Sequence, residues 1–201
     1  MKAGEGTLKE DDSLIYFATK NKGKYAEAKQ VASEHGIQLA HLNWNKHEIQ
    51  DDNLSRIASL AAEVASRESE KNVVAEDAGF FVNALQGFPG PYSSYVYETL
   101  GVQGILKLMQ DVTERDAFFS SAVAYASRGH ASACFEGIVR GSLCHAPRGS
   151  RGFGFDPIFI PTQGDGRTFA EMGIEEKNRL SHRAVAFRKF CTWFTAHHGE
   201  K

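Results

Sequence analysis

Short apolar runs alternating with helical stripes constrain this fold more than any other feature of the sequence. Leu14 to Ala18 reads as a buried strand, and after a polar turn Tyr25, Ala28, Val31 and Ala32 recur at helical spacing as far as Gly36, a residue suited to ending a helix. Ile37 to Leu42 reads as a second strand. A helix follows from Leu54 to Ser69, with Leu54, Ile57, Ala61, Val64 and Ala65 on one face and Asp52 or Asn53 near its cap. Asn72 to Ala75 returns to strand, Phe80 to Leu85 forms another, and GFPGP (Gly87 to Pro91) breaks it into a loop. Tyr92 to Thr99 and Ile105 to Gln110 are expected to be helical, whereas Phe118 to Tyr125 and Ala131 to Val139 read as a hairpin about Arg128 and Gly129. Gly149, Gly152 and Gly154 interrupt the chain before Ile158 to Ile160. The last helix spans about His182 to His197, with Ala186, Phe187, Phe190, Trp193 and Phe194 on its inner side, a stripe that reads as core.

Nothing divides the chain into separate units, and 201 residues at 42% hydrophobic content suffice for one sizeable core. Residues 13–198 are therefore expected to form a single domain behind a flexible tail, Met1 to Asp12, which has few apolar groups to bury. With 23 basic and 25 acidic side chains the net charge is −2, so no overall field attracts a polyanion, nucleic acid is not an expected partner, and any phosphate must be held by a local pocket. Cys134, Cys144 and Cys191 are odd in number and lack metal or redox spacing, which points to a reduced, intracellular protein. The N-terminal residues are too polar for a signal peptide, and no run approaches the roughly 18 apolar residues of a membrane span, so a cytoplasmic location without membrane partners is expected.

Four segments carry chemistry. In Thr19, Lys20, Asn21, Lys22, Gly23, Lys24 a strand end meets a helix N-terminus, whose free N–H groups and flanking lysines favour an anion such as triphosphate; a Thr or Asn cap with solvated lysines explains the segment equally well by itself. Glu76 and Asp77 end an apolar strand before an Ala78-Gly79 turn. Alternation sends them to opposite faces, so that one can enter a cleft while the other takes a structural partner; Asp77, beside the Ala78-Gly79 turn, is the choice for the cleft, although each acid taken alone reads more readily as an ordinary turn acid. Magnesium takes one or two protein carboxylates plus substrate phosphates, and Glu48 is the available second acid for Asp77. Phe153, Gly154, Phe155 and Asp156 combine close backbone approach, an aromatic face for a purine and an acceptor for base N–H groups, although at least one of the two Phe is expected to be core. Lys177 precedes Ser181, a credible N-cap, which puts His182 and Arg183 in a helical first turn where the dipole does not favour them; that placement suggests a ligand, for which Arg183 supplies a planar donor fork.

Taken together, TKNKGKYAE, AEDAGFFVNALQGFPGPYSSYVYETLG, GFGFDPIFIP, TFAEM and EEKNRLSHR make the chain resemble the inosine triphosphatase family, the non-standard purine NTP pyrophosphatases, from Leu14 to Phe194, with SSYVYETLG closer to archaeal and eukaryotic members. The resemblance implies an elongated, two-lobed α/β fold with a long central mixed sheet flanked by helices, an active-site cleft between the lobes, and a homodimer. It implies hydrolysis of ITP, dITP or XTP to the monophosphate and pyrophosphate with Mg2+, removing these nucleotides from the pool. Thr19 through Lys24 would hold triphosphate, Glu48 and Asp77 the metal, and Asp77 would act as general base; Ala78, Phe153 to Asp156, Lys177, His182 and Arg183 would bind nucleotide. An Arg183 donor to O6 would disfavour adenine, whose amino group sets donor against donor, while rejection of guanine needs a separate penalty on its 2-amino group.

Three positions depart from the family pattern: Ala78 in place of Ser or Thr, Ala184 in place of Gly, and Arg56 as the substitute for a lysine on the helix from Leu54. The alternatives are a catalytically weak purine-nucleotide sensor, for which Ala78 is the one supporting change, and a related pyrophosphatase of different base preference.

Overall fold

A computed structural model describes residues 14–44, 49–127 and 132–198. The expected tail, Glu48 and the hairpin turn at Arg128 and Gly129 lie outside the described residues. The elements in chain order are β1 (Ile15–Ala18), α1 (Lys22–Glu34), β2 (Leu39–Leu42), α2 (Leu54–Ser69), β3 (Val73–Val82), β4 (Pro89–Gly90), α3 (Ser93–Thr99), α4 (Gly101–Leu108), β5 (Asp116–Ala126), β6 (Ala133–Leu143), β7 (Phe159–Pro161), α5 (Ile174–Leu180) and α6 (His182–His198). One mixed sheet runs β2-β1-β3-β5-β6-β7, parallel among β2, β1 and β3 and antiparallel from β3 onward.

Long strands β3, β5 and β6 carry the sheet through two lobes. In the first, α1 and α6 cover one face with Phe17, Val31, Val123, Phe187 and Phe190, while α2 lies on the opposite face. That second contact is built from small side chains, Ala58, Ala61 and Ala62 against Ala75, Ala122 and Ala124, which lets the helix approach the strands closely. In the second lobe Phe80, Phe119, Phe159 and Phe169 form an aromatic core with Val96, Ile105 and Met109. The inner side expected for the last helix is found: Ala186, Phe187, Phe190 and Phe194 are buried, with Trp193 packed beside them. Among the described residues no helix is long and apolar enough to cross a membrane.

Two expectations are corrected. Asn72 to Ala75 and Phe80 to Leu85 are not separate strands: β3 is continuous, paired with β5 residue by residue from Val73 opposite Ala126 to Val82 opposite Ala117. The two acids and Gly79 therefore sit inside a strand and not at a turn. The polar break in the sequence misleads because Glu76 is buried against cationic partners that lie far away along the chain. The helix expected over residues 105–110 starts earlier, at Gly101 directly after α3, and ends at Leu108, with Met109 as its C-cap. Helix α5 was not anticipated; the Glu176 carboxylate accepts from Gly173 N–H at its start (2.9 Å).

One edge of β3 is shared between two partners. β1 pairs with it at Val73 to Ala75 and β4 at Phe80 and Phe81, so Glu76 to Gly79 have no strand neighbour on that side. A cleft opens there, at the carboxyl ends of parallel strands β1 and β2, where α/β sheets characteristically bind ligands. The first turn of α6 lies directly over β6 at Gly137, where a Cβ would collide with the His182 carbonyl and meet the Ala186 nitrogen at 2.6 Å. Gly137→Ala is expected to cost about 1–3 kcal/mol, the usual range for overpacking. The check is a urea midpoint lowered at unchanged m-value.

Candidate active site

At the β1–α1 junction Asn21 caps the helix, its side-chain oxygen accepting from Lys24 N–H (3.0 Å), while Thr19 Oγ1 accepts from Asn21 N–H (3.1 Å). These two turns hold the start of α1 open toward the cleft, which Thr19, Lys20, Asn21 and Lys24 line. Lys22 and Gly23 do not line it. Gly23 has a packing reason instead: a Cβ there would lie 2.7 Å from the Phe153 ring, so the glycine lets α1 dock against the Gly152–Gly154 loop. Gly152 and Gly154 have φ of +72° and +62°, a region side chains disfavour.

From Lys24 inward, charges alternate across the cleft floor. Lys24 Nζ lies 3.0 Å from Glu76 Oε2, and Glu76 Oε1 accepts from Arg183 Nε (3.0 Å) and from Ser121 Oγ (2.8 Å). Arg183 Nη1 donates to Glu27 Oε2; Glu27 Oε1 takes Lys177 Nζ (2.7 Å), which also meets Asp156 Oδ2 (2.5 Å). That Asp156 oxygen accepts from Phe153 N–H as well (2.9 Å). Burial pushes the Glu27 and Glu76 carboxyls up, but Arg183, with Lys177 at one and Lys24 at the other, outweighs it and holds both below the ordinary range. For Asp156 burial wins, with the Glu27 charge adding to it against the pull of Lys177, and its pKa is raised.

Arg183 and Lys177 are 2% and 3% exposed, so each is a structural ion as well as part of the cleft wall. The dipole problem in the first turn of α6 is solved by Glu27 and Glu76, and Ser181 caps the helix as expected, accepting from Ala184 N–H (3.2 Å). His182 also lines the cleft, its ring stacked on Phe119 at 4.7 Å, with no hydrogen-bond partner for Nδ1 among the described residues. Burial, then the Arg183 charge, holds its pKa well below 6.5, so the ring is neutral at pH 7.

The two aromatic candidates separate. Phe155 is buried, stacked on Phe80 at 5.1 Å and edge-on to Tyr97 at 5.6 Å. Phe153 is half-buried at the wall, with Lys177 4.8 Å and Arg183 5.3 Å from its ring centre. Asp77 and Ala78 line the same cleft, which holds about 570 Å3. Alternation along β3 puts Glu76 on the face of Val74 and Phe80 and Asp77 on the face of Ala75 and Phe81, so the acids flank the unpaired edge from opposite sides. Among the described residues no three His, Cys, Asp or Glu side chains gather as a metal cage. A hard cation held by one or two carboxylates and by phosphate oxygens needs no such cage, and Asp77 at the wall fits that requirement.

Ala184 does not face the cleft. It is 1% exposed in the core beneath α6, so its methyl fills that core and not a base pocket. Arg56 is 72% exposed, paired with Asp51, and absent from the described cleft wall. Sequence reasoning missed Glu27, the central acid of the ion chain. The available signal was an acid on the buried stripe of α1 beside Ala28 and Val31. Trp44, Ser94, Tyr97 and Glu98 of the wall were missed as well, and only Trp44 lies outside the quoted motifs.

The chain matches the Ham1 family over residues 15–193. It is 45% identical over 180 residues to the dITP/XTP pyrophosphatase of Methanopyrus kandleri, covering 90% of this chain and 95% of the relative. To the protein of the same name from Saccharolobus solfataricus it is 46% identical over 183 residues, covering 91% and 94%. The solved HAM1 protein of Coxiella burnetii superposes with a TM-score of 0.78 at 27% identity, covering 91% of this chain and 98% of that one.

Two measurements test the ion chain. Glu27→Gln is expected to lower stability by about 3–5 kcal/mol, the range for removing one partner of a buried ion pair. In the wild type the lowered carboxyls of Glu27 and Glu76 mean that the unfolded chain takes up protons first as pH falls below 4.5, the ordinary glutamate value. Their contribution is complete above that pH and is lost as pH falls through the folded pKa values. Urea midpoints at falling pH should show this loss, and Glu27→Gln should make it shallower.

Proposed function

This chain belongs to the Ham1 family, and on that premise we propose that it hydrolyses the non-standard purine nucleoside triphosphates dITP, ITP and XTP to the monophosphate and pyrophosphate, clearing them from the nucleotide pool. The observation that carries this reading is the joining of two chemically different ends in one cleft, an anion-binding helix start with Lys20 and Lys24 at one and Phe153, His182 and Arg183 at the other. A nucleoside triphosphate has the matching polarity, charged at one end and flat at the other.

The triphosphate lies against Thr19, Lys20, Asn21 and Lys24, where the Lys20 amide and the two lysine charges offset its own. Lys24 reaches it from the Glu76 contact, so the ammonium is already held in place before substrate arrives. Asp77 accepts the proton of a water whose oxygen bonds to the α-phosphorus. The bond from that phosphorus to the α,β-bridging oxygen breaks, and pyrophosphate leaves with the bonding pair. No covalent enzyme intermediate is needed. Mg2+ held by Asp77 and Glu48 would neutralise phosphate charge.

At the other end Phe153 offers a ring to the base. Arg183 spends Nε and Nη1 on Glu76 and Glu27, leaving Nη2 as the donor to a 6-keto oxygen. Because those carboxylates fix the guanidinium, an adenine amino group would meet a donor that cannot turn away. Ala78 leaves the wall without the hydroxyl common at that position and removes none of the charged groups named above. A homodimer is part of this proposal, supported by the exposed Phe88, Tyr92, Tyr95 and Leu100, as is a cytoplasmic setting, supported by three unpaired cysteines.

Purified protein should release pyrophosphate, not orthophosphate, from dITP and XTP in preference to ATP with Mg2+, and none with EDTA; binding without release would establish the sensor alternative. Asp77→Asn should lower turnover about 10²–10⁴-fold, as expected for a lost general base. Its circular dichroism should match the wild type, and wild-type turnover in this variant would remove Asp77 from the chemistry.

A further inference from the structure

His41 lies on β2, outside the cleft wall and outside every motif discussed above. Its Nε2 is 2.7 Å from the carbonyl oxygen of Thr19. A carbonyl only accepts, so Nε2 carries the proton and donates. Thr19 N–H in turn donates to the Leu42 carbonyl at 3.1 Å, so strand β2 grips both backbone groups of the residue that opens the anion-binding turn. The imidazole is itself held: the Tyr25 ring stacks on it at 4.6 Å and 21°, and Tyr25 Oη donates to the Leu39 carbonyl at 3.1 Å. Because Tyr25 belongs to the first turns of α1, the brace ties that helix to β2.

The consequence falls on the next amide. The Thr19–Lys20 peptide is trans, since the cis bond among the described residues is Phe88–Pro89, and in a planar trans peptide C=O and N–H point in opposite directions. With its oxygen drawn toward His41 on β2, this peptide turns the Lys20 N–H away from the strand, toward the cleft that Thr19 and Lys20 line. No hydrogen bond from that N–H to another described residue is present. We propose that His41 is a positioning residue, holding the Thr19–Lys20 peptide so that the Lys20 amide is a preoriented donor to the triphosphate. This rests on the pyrophosphatase reading for its substrate, though not for its geometry.

Two variants separate hydrogen bonding from ring packing. His41→Phe keeps a ring against Tyr25 and removes the donor, while His41→Gln restores an N–H donor and removes the ring. Binding of inorganic triphosphate with Mg2+, measured by calorimetry, should weaken about five- to tenfold in His41→Phe, the equivalent of one lost hydrogen bond. It should recover in His41→Gln, and KM for dITP should follow the same order with a smaller change in kcat. Triphosphate binding in His41→Phe equal to wild type, or weakening common to both variants, overturns the proposal. Wild-type protein that binds triphosphate but releases no pyrophosphate from dITP would count against the enzymatic reading alone, leaving the calorimetric comparison to judge His41.

Discussion

Arg183 is held between Glu27 and Glu76, and the arrangement of the cleft depends on that contact. The three residues come from α6, α1 and β3, so one guanidinium joins two helices to the central strand. Burying such charges has a desolvation cost of several kcal/mol per ion, recovered only when nearly every oxygen and nitrogen has a partner. The chain meets that demand by extension: Lys24 serves Glu76 and Lys177 serves Glu27, with Asp156 closing the far end. Three cations and three carboxylates alternate, so the floor is neutral in sum while each individual charge is fixed in place.

A neutral floor with fixed charges suits catalysis at a polyanion. Groups that are already oriented need no reorganisation when charge develops at the phosphates, and this is where electrostatic catalysis gains most. The same ions reach both ends of the cleft. Lys24 stands at the turn between β1 and α1, whereas Lys177 and Arg183 lie within about 5 Å of the Phe153 ring. The wall proposed for the base and the turn proposed for the phosphates are thus mechanically connected through Glu27 and Glu76, although neither carboxylate has to touch the substrate.

The sheet supplies the space that the ions line. β1 and β4 share one edge of β3 and leave Glu76 to Gly79 uncovered between them, while β5 pairs along the full length of the other edge. The strand is therefore hydrogen-bonded along one edge where its acids are displayed. Around it the approach of the layers is set by small residues: alanines under α2, Gly137 under α6 and Gly23 against Phe153. On the anion side the brace from β2 through His41 to Thr19 applies the same logic to a single peptide.

Much of this was legible in the chain, because local signals are sufficient for it. Apolar runs marked β1, β2 and β5, spacing marked α1, α2 and α6, and Ser181 identified its own cap; the motifs brought Thr19, Lys24, Asp77, Phe153, Lys177 and Arg183 forward as candidates for one site, and the fold gathers them around one cleft. What remained hidden was every property that needs a partner distant in sequence. β3 looked like two strands because Glu76 and Asp77 read as polar punctuation, and only Arg183, 107 residues away, makes the first of them a core residue. Arg183 and Lys177 looked like free ligand contacts until Glu27, 156 and 150 residues distant, claimed part of each. Sequence alone determined which residue types were available and where most of the helices and strands lie, since those signals depend on neighbours within a few positions. Tertiary structure decided which charges are paired, which faces are buried and where an edge is left open, because desolvation and pairing energies exist only once distant groups share the same excluded water.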